Sequence, residues 1–357
     1  MTRFKVAIFG AGNIGSALAA NLSHGQDVDV TMIEPSEDAL DSFSALGLEA
    51  ETVRPKRSGD IPAAARTADL IVAATPGWAV SGIAEIAVGA KTHFLDFAPL
   101  RAEVKNVLGP LAQKRVVLNG CGIAPGLVEN IACNLIAECR RVSELTIRVG
   151  SLPRFPVNRL GYGQIWDIDA LIDEYTKPCE AIRDGNTVMI SPLEELEQLR
   201  FNGTDYECFT TSRGLSDLSP YRAAGIDRLT FKTLRYPGHL DHMRFLLDDL
   251  GLREKRDMLR SLLMNGLPIV KDDELVLFLT AWQKAGARRI EQSQTYRFRP
   301  GPDHPFNAMI SAASAYAASL IALVKDGQLG QVGFVDHHQI ESLTLLKGPF
   351  LSRLIAA

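Results

Sequence analysis

Through the first third of the chain, short apolar runs alternate with stretches of helical periodicity. KVAIF, VDVTMI, LEAETV, LIVAAT, HFLDF and RVVLN are dense in Val, Ile and Leu, as strands buried on both faces must be. Six such strands joined by helical crossovers predict a doubly wound parallel sheet. Gly25 is placed to end the first helix, and Asp60 to cap the short helix before LIVAAT. From about residue 143 the pattern changes. LTIRVGSLP, EAIRDGNTVMI, YECFTTS, DRLTFKTLRYP, ELVLFLTAWQ and RRIEQSQTYRF read as strands, several alternating apolar with polar residues. Asp184-Gly185-Asn186 is a hairpin signal, and HMRFLLDDLG and KRDMLRSLL are helical. A small-residue helix, FNAMISAASAYAASLIALVKDG, follows and ends at Gly327. The pattern predicts an α/β protein with residues 1–122 as the doubly wound domain. Residues 123–304 form an inserted, largely antiparallel α+β domain, and residues 305–357 form helices returning to complete the first.

Composition narrows the function classes. Hydrophobic residues make up 46% and charged residues 22% of the 357, which fits a globular protein with two cores. The net charge of −4 and the scattered Lys and Arg give no footprint for nucleic acid or an anionic membrane. No apolar stretch is expected to span a bilayer, and the early first strand leaves no room for a leader. Five cysteines without a CxxC pair read as reduced thiols in the cytoplasm, not a zinc site or disulfide frame.

The first apolar run leads directly into Gly10, Gly12 and Gly15, followed by SALAANL. That spacing is the dinucleotide fingerprint: a tight turn, a close backbone approach to a pyrophosphate, and close helix–strand packing. The helix N-terminus at Asn13 and Ile14 supplies N–H groups and partial positive charge to the phosphates. Glu34 ends the next strand about 20 residues on, where a carboxylate binds the ribose hydroxyls. It would repel a 2′-phosphate, so NAD is expected over NADP. Arg54, Lys56 and Arg57 are the cations able to approach the same region.

Five segments together resemble the saccharopine dehydrogenase-like superfamily: GAGNIG, HFLDFAP, NGCGIAPGLVENIA, LIDEYTKP and FKTLRYPGHLDHMRFL. The compact length and the LIDEYTKP and LRYPGH segments are most similar to its L-lysine 6-dehydrogenase branch. The resemblance implies NAD-dependent oxidative deamination of the lysine side-chain amine, and a homodimer formed through the second domain. It also places Asp96 and Cys121 near the nicotinamide. Two other readings stay open: a saccharopine- or carboxynorspermidine-type dehydrogenase, and a sensor that binds NAD without catalysis.

The chemistry expected of an amine dehydrogenase assigns the remaining candidates. A lysine amine titrates near 10.4 in water and must lose a proton before hydride can leave, so the site needs a base. Asp96, at the end of HFLD, is the first choice for it, and Cys121 the second. Thr75 and Pro76, with Gly77, are expected beside the nicotinamide ribose, and Asn119 at its amide. Arg235 offers a guanidinium matched to the substrate carboxylate. His239 is expected to hydrogen-bond the same substrate, with Tyr162 and Trp166 walling its aliphatic chain. Asp173 and Glu174 suit a second ammonium, but a solvated helix start is the preferred reading of both. For a second carboxylate, Arg154, Arg159 and Arg213 are available. His239 with His242, and His337 with His338, lack the further ligands zinc needs, so no metal is expected.

Overall fold

The computed structural model describes residues 3–23, 27–55, 61–139, 141–285, 288–301, 304–330 and 332–356. Gly25, Lys56, Arg57 and Asp60 lie outside the described residues. The chain divides into two compact units, the first made of Met1–Leu127 with Ile310–Arg353, the second of Val128–Met309 with Leu354–Ala357.

The first unit is a seven-stranded parallel sheet. Its labelled strands are β1 (Phe4–Phe9), β2 (Val28–Ile33), β3 (Glu51–Val53), β4 (Leu70–Ala73), β5 (His93–Asp96) and β6 (Val116–Leu118). Their spatial order is β6-β5-β4-β1-β2-β3. The predicted six are therefore joined by a seventh, Gly333–Phe334, which pairs in parallel with β6. β4 is buried along its whole length, which accounts for its unbroken apolar sequence. The chain winds outward from β1 to β3 and then returns to β4 on the other side of β1. That reversal is the switch point where open α/β sheets bind ligands.

The helix Ala308–Lys325 corrects one expectation, because it is long and apolar enough to cross a bilayer. It is a core helix, however, with 78% of its apolar window buried. Ser314 on this helix is held by Asn21 Nδ2 at 3.0 Å, from the helix Asn13–Ser23.

The second unit carries β7 (Val142–Pro153), β8 (Cys179–Arg183), β9 (Asn186–Ile190), β10 (Glu197–Phe201), β11 (Thr204–Thr210), β12 (Arg228–Arg235), β13 (Asp273–Ala285) and β14 (Arg288–Phe298). The order β10-β11-β12-β7-β13-β14 is antiparallel except for the parallel β12/β7 pair, so the sheet is mixed. β10 was not expected from sequence. The β8–β9 hairpin turns at Asp184 (φ 50°) and Gly185 (φ 75°), the two positive dihedrals that such a tight turn requires. One face of this unit buries Tyr162, Ile165, Leu171, Tyr175, Phe209, Leu240 and Leu263 in a single apolar cluster.

Candidate functional site

The candidate residues fall into two groups, one inside each unit. In the first unit, β1 ends at Phe9 and the chain turns at Gly10 with φ 106°. A side chain at Gly10 would collide with the Ala74 carbonyl at the end of β4, and one at Gly15 with the Gly10 carbonyl. Gly12 differs, since a Cβ there would meet nothing within 4 Å. Two glycines thus serve packing, and the third leaves open space above the first turn of the helix Asn13–Ser23. The first-turn N–H groups of that helix have no intrahelical acceptor. Glu34 reaches back to this loop: its Oε2 accepts from Ala11 N at 3.0 Å and its Oε1 from Ser36 N at 2.8 Å. Arg54 lies nearby but is paired with Glu37 at 2.6 Å.

Among the buried polar atoms of this unit without a hydrogen-bond partner of acceptable geometry are Thr75 Oγ1 and Asn119 Nδ2. Such groups are expensive to bury unless something else supplies the missing partner. Both follow strand ends of the parallel sheet, Thr75 after β4 and Asn119 after β6. With the open Gly12 and the Glu34 carboxylate, they fit a dinucleotide lying along that edge. Pro76 and Gly77 are exposed next to Thr75.

Asp96, the last residue of β5, is 1% exposed. Burial pushes its carboxyl up to about 7, against the pull of the Asn119 side chain, backbone N–H groups and Arg101. Its Oδ1 accepts from Gly120 N at 3.4 Å, and its carbonyl from Cys121 N at 2.9 Å. Cys121 is fully buried, and burial together with the Asp96 charge holds its thiol well above the ordinary range. It therefore stays protonated near neutrality and makes a poor base, whereas the Asp96 carboxyl titrates near neutrality.

The loop carrying Asn119 is pinned by a residue that sequence reading assigned to nothing. His337 Nε2 lies 2.7 Å from the Asn119 carbonyl, and its Nδ1 lies 2.7 Å from Tyr316 Oη. A carbonyl only accepts, so Nε2 carries the proton and Nδ1 accepts from Tyr316.

In the second unit, Arg235 and His239 meet at Tyr175, while Tyr162 lies against Arg235 and Trp166 bonds to Tyr162. Arg235 is 3% exposed at the end of β12. Its Nε donates to Tyr175 Oη at 3.0 Å and its Nη1 to the Leu234 carbonyl at 3.0 Å. The guanidinium lies 4.6 Å from the centre of the Tyr162 ring, in cation–π contact. Tyr175 Oη is also 3.0 Å from His239 Nε2, and His239 Nδ1 is 2.8 Å from the Leu160 carbonyl. The carbonyl fixes the proton on Nδ1, so Tyr175 donates to Nε2 and accepts from Arg235. Burial, with Arg235 nearby, lowers the His239 pKa to about 3, which keeps the ring neutral and the polarity of this chain of bonds fixed.

His239 therefore departs from its expected part. Both of its nitrogens are spent inside the protein, and it braces Tyr175, which in turn braces Arg235. Tyr162 is similarly committed, its ring under Arg235 and its hydroxyl accepting from Trp166 Nε1 at 3.0 Å. His239 opens a short helix whose first amides are capped by Glu207, which accepts from Gly238 N at 3.0 Å and Leu240 N at 2.6 Å. His242 Nδ1 lies 2.6 Å from the Gly238 carbonyl. Among the described residues no group of three or more His, Cys, Asp or Glu is arranged to hold a metal ion.

Comparison with known proteins gives two family matches. The saccharopine dehydrogenase NADP binding domain matches residues 6–117, and the saccharopine dehydrogenase C-terminal domain matches residues 122–354. Among solved structures, apo saccharopine dehydrogenase (L-Glu forming) from Saccharomyces cerevisiae superposes with a TM-score of 0.78. The two chains are 15% identical over 96% of this chain and 97% of the other. An apo scyllo-inositol dehydrogenase from Lactobacillus casei reaches a TM-score of 0.49 at 10% identity, covering 97% and 94% of the two chains.

Proposed function

The chain belongs to the saccharopine dehydrogenase family, and from that premise we propose that it oxidises the side-chain amine of L-lysine with NAD. Family membership makes it a nicotinamide-dependent oxidoreductase acting on an amino-acid C–N bond. The observation that carries the finer reading is Asp96, a buried carboxyl with a pKa of about 7 beside the Asn119 amide. When bound, a nicotinamide would supply the hydride acceptor. Asp96 takes the proton that the substrate ammonium must lose first, and a group titrating near the working pH does this best. Gly12, the first turn of the following helix, Thr75 and Asn119 hold the cofactor, and Glu34 takes its ribose hydroxyls.

Arg235 binds the substrate carboxylate through a guanidinium that Tyr175, Tyr162 and the Leu234 carbonyl hold in one plane. A dicarboxylate substrate such as saccharopine would ask for a further cation. Two of the three candidates are already engaged in ion pairs, Arg154 with Asp272 at 3.1 Å and Arg213 with Asp173 at 2.5 Å. That favours a substrate with one carboxylate. NAD is preferred over NADP because the one described cation near Glu34, Arg54, is paired with Glu37. A cytoplasmic homodimer formed through the second unit's sheet completes the proposal.

The test is NADH formation by the purified chain, with NAD and a panel of L-lysine, L-ornithine, saccharopine and common α-amino acids at alkaline pH. Turnover confined to L-lysine supports the reading, and turnover confined to saccharopine overturns it. NADP used better than NAD would remove the argument from Glu34.

A further inference from the structure

Helix Ile168–Thr176 places two acids side by side, and the structure treats them differently. Neither stands at the helix start, which is capped by Asp167. Asp173 is saturated: Lys177 at 3.2 Å, Arg213 at 2.5 Å and Arg256 at 2.7 Å all pair with it. Glu174 is half-buried and its carboxylate makes no hydrogen bond or ion pair among the described residues. Arg235 and Arg213 nonetheless act on it electrostatically, and it acts on Tyr162 and Tyr175 in turn.

Arg235 shows the complementary deficit. Its Nε and Nη1 are used internally, while Nη2 makes no hydrogen bond among the described residues. A cation and an anion therefore sit in one cluster, each short of a partner and not bonded to each other. A ligand bearing one carboxylate and one ammonium would satisfy both without bringing net charge into the cluster.

We propose that Arg235 and Glu174 together bind the zwitterionic head of an α-amino acid, Arg235 taking the carboxylate and Glu174 the ammonium. The inference rests on the reading of Arg235 given above and deepens it. The substrate is recognised by its α-carbon end, so the amine to be oxidised is the distal one. A plain carboxylate would leave Glu174 unmatched, and a plain amine would leave Arg235 unmatched. Burial pushes the Glu174 carboxyl up to about 7 against the pull of the two arginines. An arriving ammonium would favour the ionised form.

The test is calorimetric binding to the full chain with NAD present, using ligands that cannot react at a distal amine. L-norleucine carries both head charges, hexanoate only the carboxylate and hexylamine only the ammonium. L-norleucine should bind at least roughly tenfold more tightly than either, since each charge-assisted contact is worth about that much. Glu174→Gln should bring L-norleucine down to the level of hexanoate and leave hexanoate unchanged. The wild-type ligand series stands even if the variant folds poorly. Equal binding of L-norleucine and hexanoate, no binding of L-norleucine, or full retention by a folded Glu174→Gln each overturns the head-group site. Lysine turnover is read in parallel. L-norleucine selectivity without lysine turnover would sink the lysine reading alone, whereas lysine turnover unaffected by Glu174→Gln would sink the head-group site alone.

Discussion

Replacing Asp96 with asparagine should slow the enzyme and, between pH 5 and 8, change how its stability depends on pH. The ordinary aspartate value is 3.8, and burial raises it to about 7 in the folded chain. A carboxyl that holds its proton more tightly when folded opposes folding once it ionises. Its contribution to stability therefore falls as pH rises through the interval between the two values, and stays low above it. Between pH 5 and pH 8 the loss amounts to roughly 3 kcal/mol, at 1.36 kcal/mol per pH unit. The carboxamide of the variant would still accept from Gly120 N, but its new N–H donors need partners, at a cost of about 1–3 kcal/mol that does not vary with pH. The diagnostic quantity is thus the difference in pH dependence, not the absolute stability. Urea unfolding of wild type and Asp96→Asn without cofactor, followed by circular dichroism from pH 5 to 8, measures it. The wild type should lose about 3 kcal/mol more than the variant over that range. Turnover should drop roughly 10²–10⁴-fold with loss of the base. Parallel stability curves, or turnover left intact, would refute the reasoning.

Removing the hydroxyl of Tyr175 by Tyr175→Phe strands Arg235 Nε and His239 Nε2 at once, each costing about 1–3 kcal/mol when left unpaired. The variant should unfold at visibly lower urea and show a raised substrate KM with an unchanged NAD KM; a cost under about 0.5 kcal/mol would mean the hydroxyl braces nothing. Gly12→Ala and Gly15→Ala should behave oppositely. The first should fold normally and lose at least roughly tenfold in NAD affinity, because a Cβ at Gly12 meets no protein atom and would stand where the proposed cofactor lies. The second should fail to fold stably, because its methyl overlaps the Gly10 carbonyl. Titration of NAD into each soluble variant checks both, and a well-folded Gly15→Ala would contradict the packing argument.

Strands of the parallel sheet were legible because burial on both faces writes an apolar run that needs no context to read. The two-residue strand Gly333–Phe334 is too short to carry such a pattern. β10 lies in LEELEQLRF, whose Glu, Gln and Leu are good helix formers, and only its pairing with β11 makes it a strand. The glycine loop was legible for a related reason: backbone geometry forces residue type there. Tyr175, Glu207 and His337 were not, since their roles depend on partners distant in sequence. Tyr175 meets His239, Glu207 caps residues 238 and 240, and His337 meets Asn119 across 218 positions. Sequence also could not separate Asp173 from Glu174, neighbours whose side chains point to different company.

The first unit is assembled from two stretches of chain that flank the whole of the second. Its sheet gains its last strand, and its Asn119 loop gains His337, only from residues beyond position 330. During synthesis the ribosome must therefore deliver about 200 further residues after Leu127 before that unit can close, a wait of roughly 10–40 s at ordinary elongation rates. For that interval the half-built sheet has an open edge beside β6, and the nascent chain is most exposed to pairing with the wrong partner.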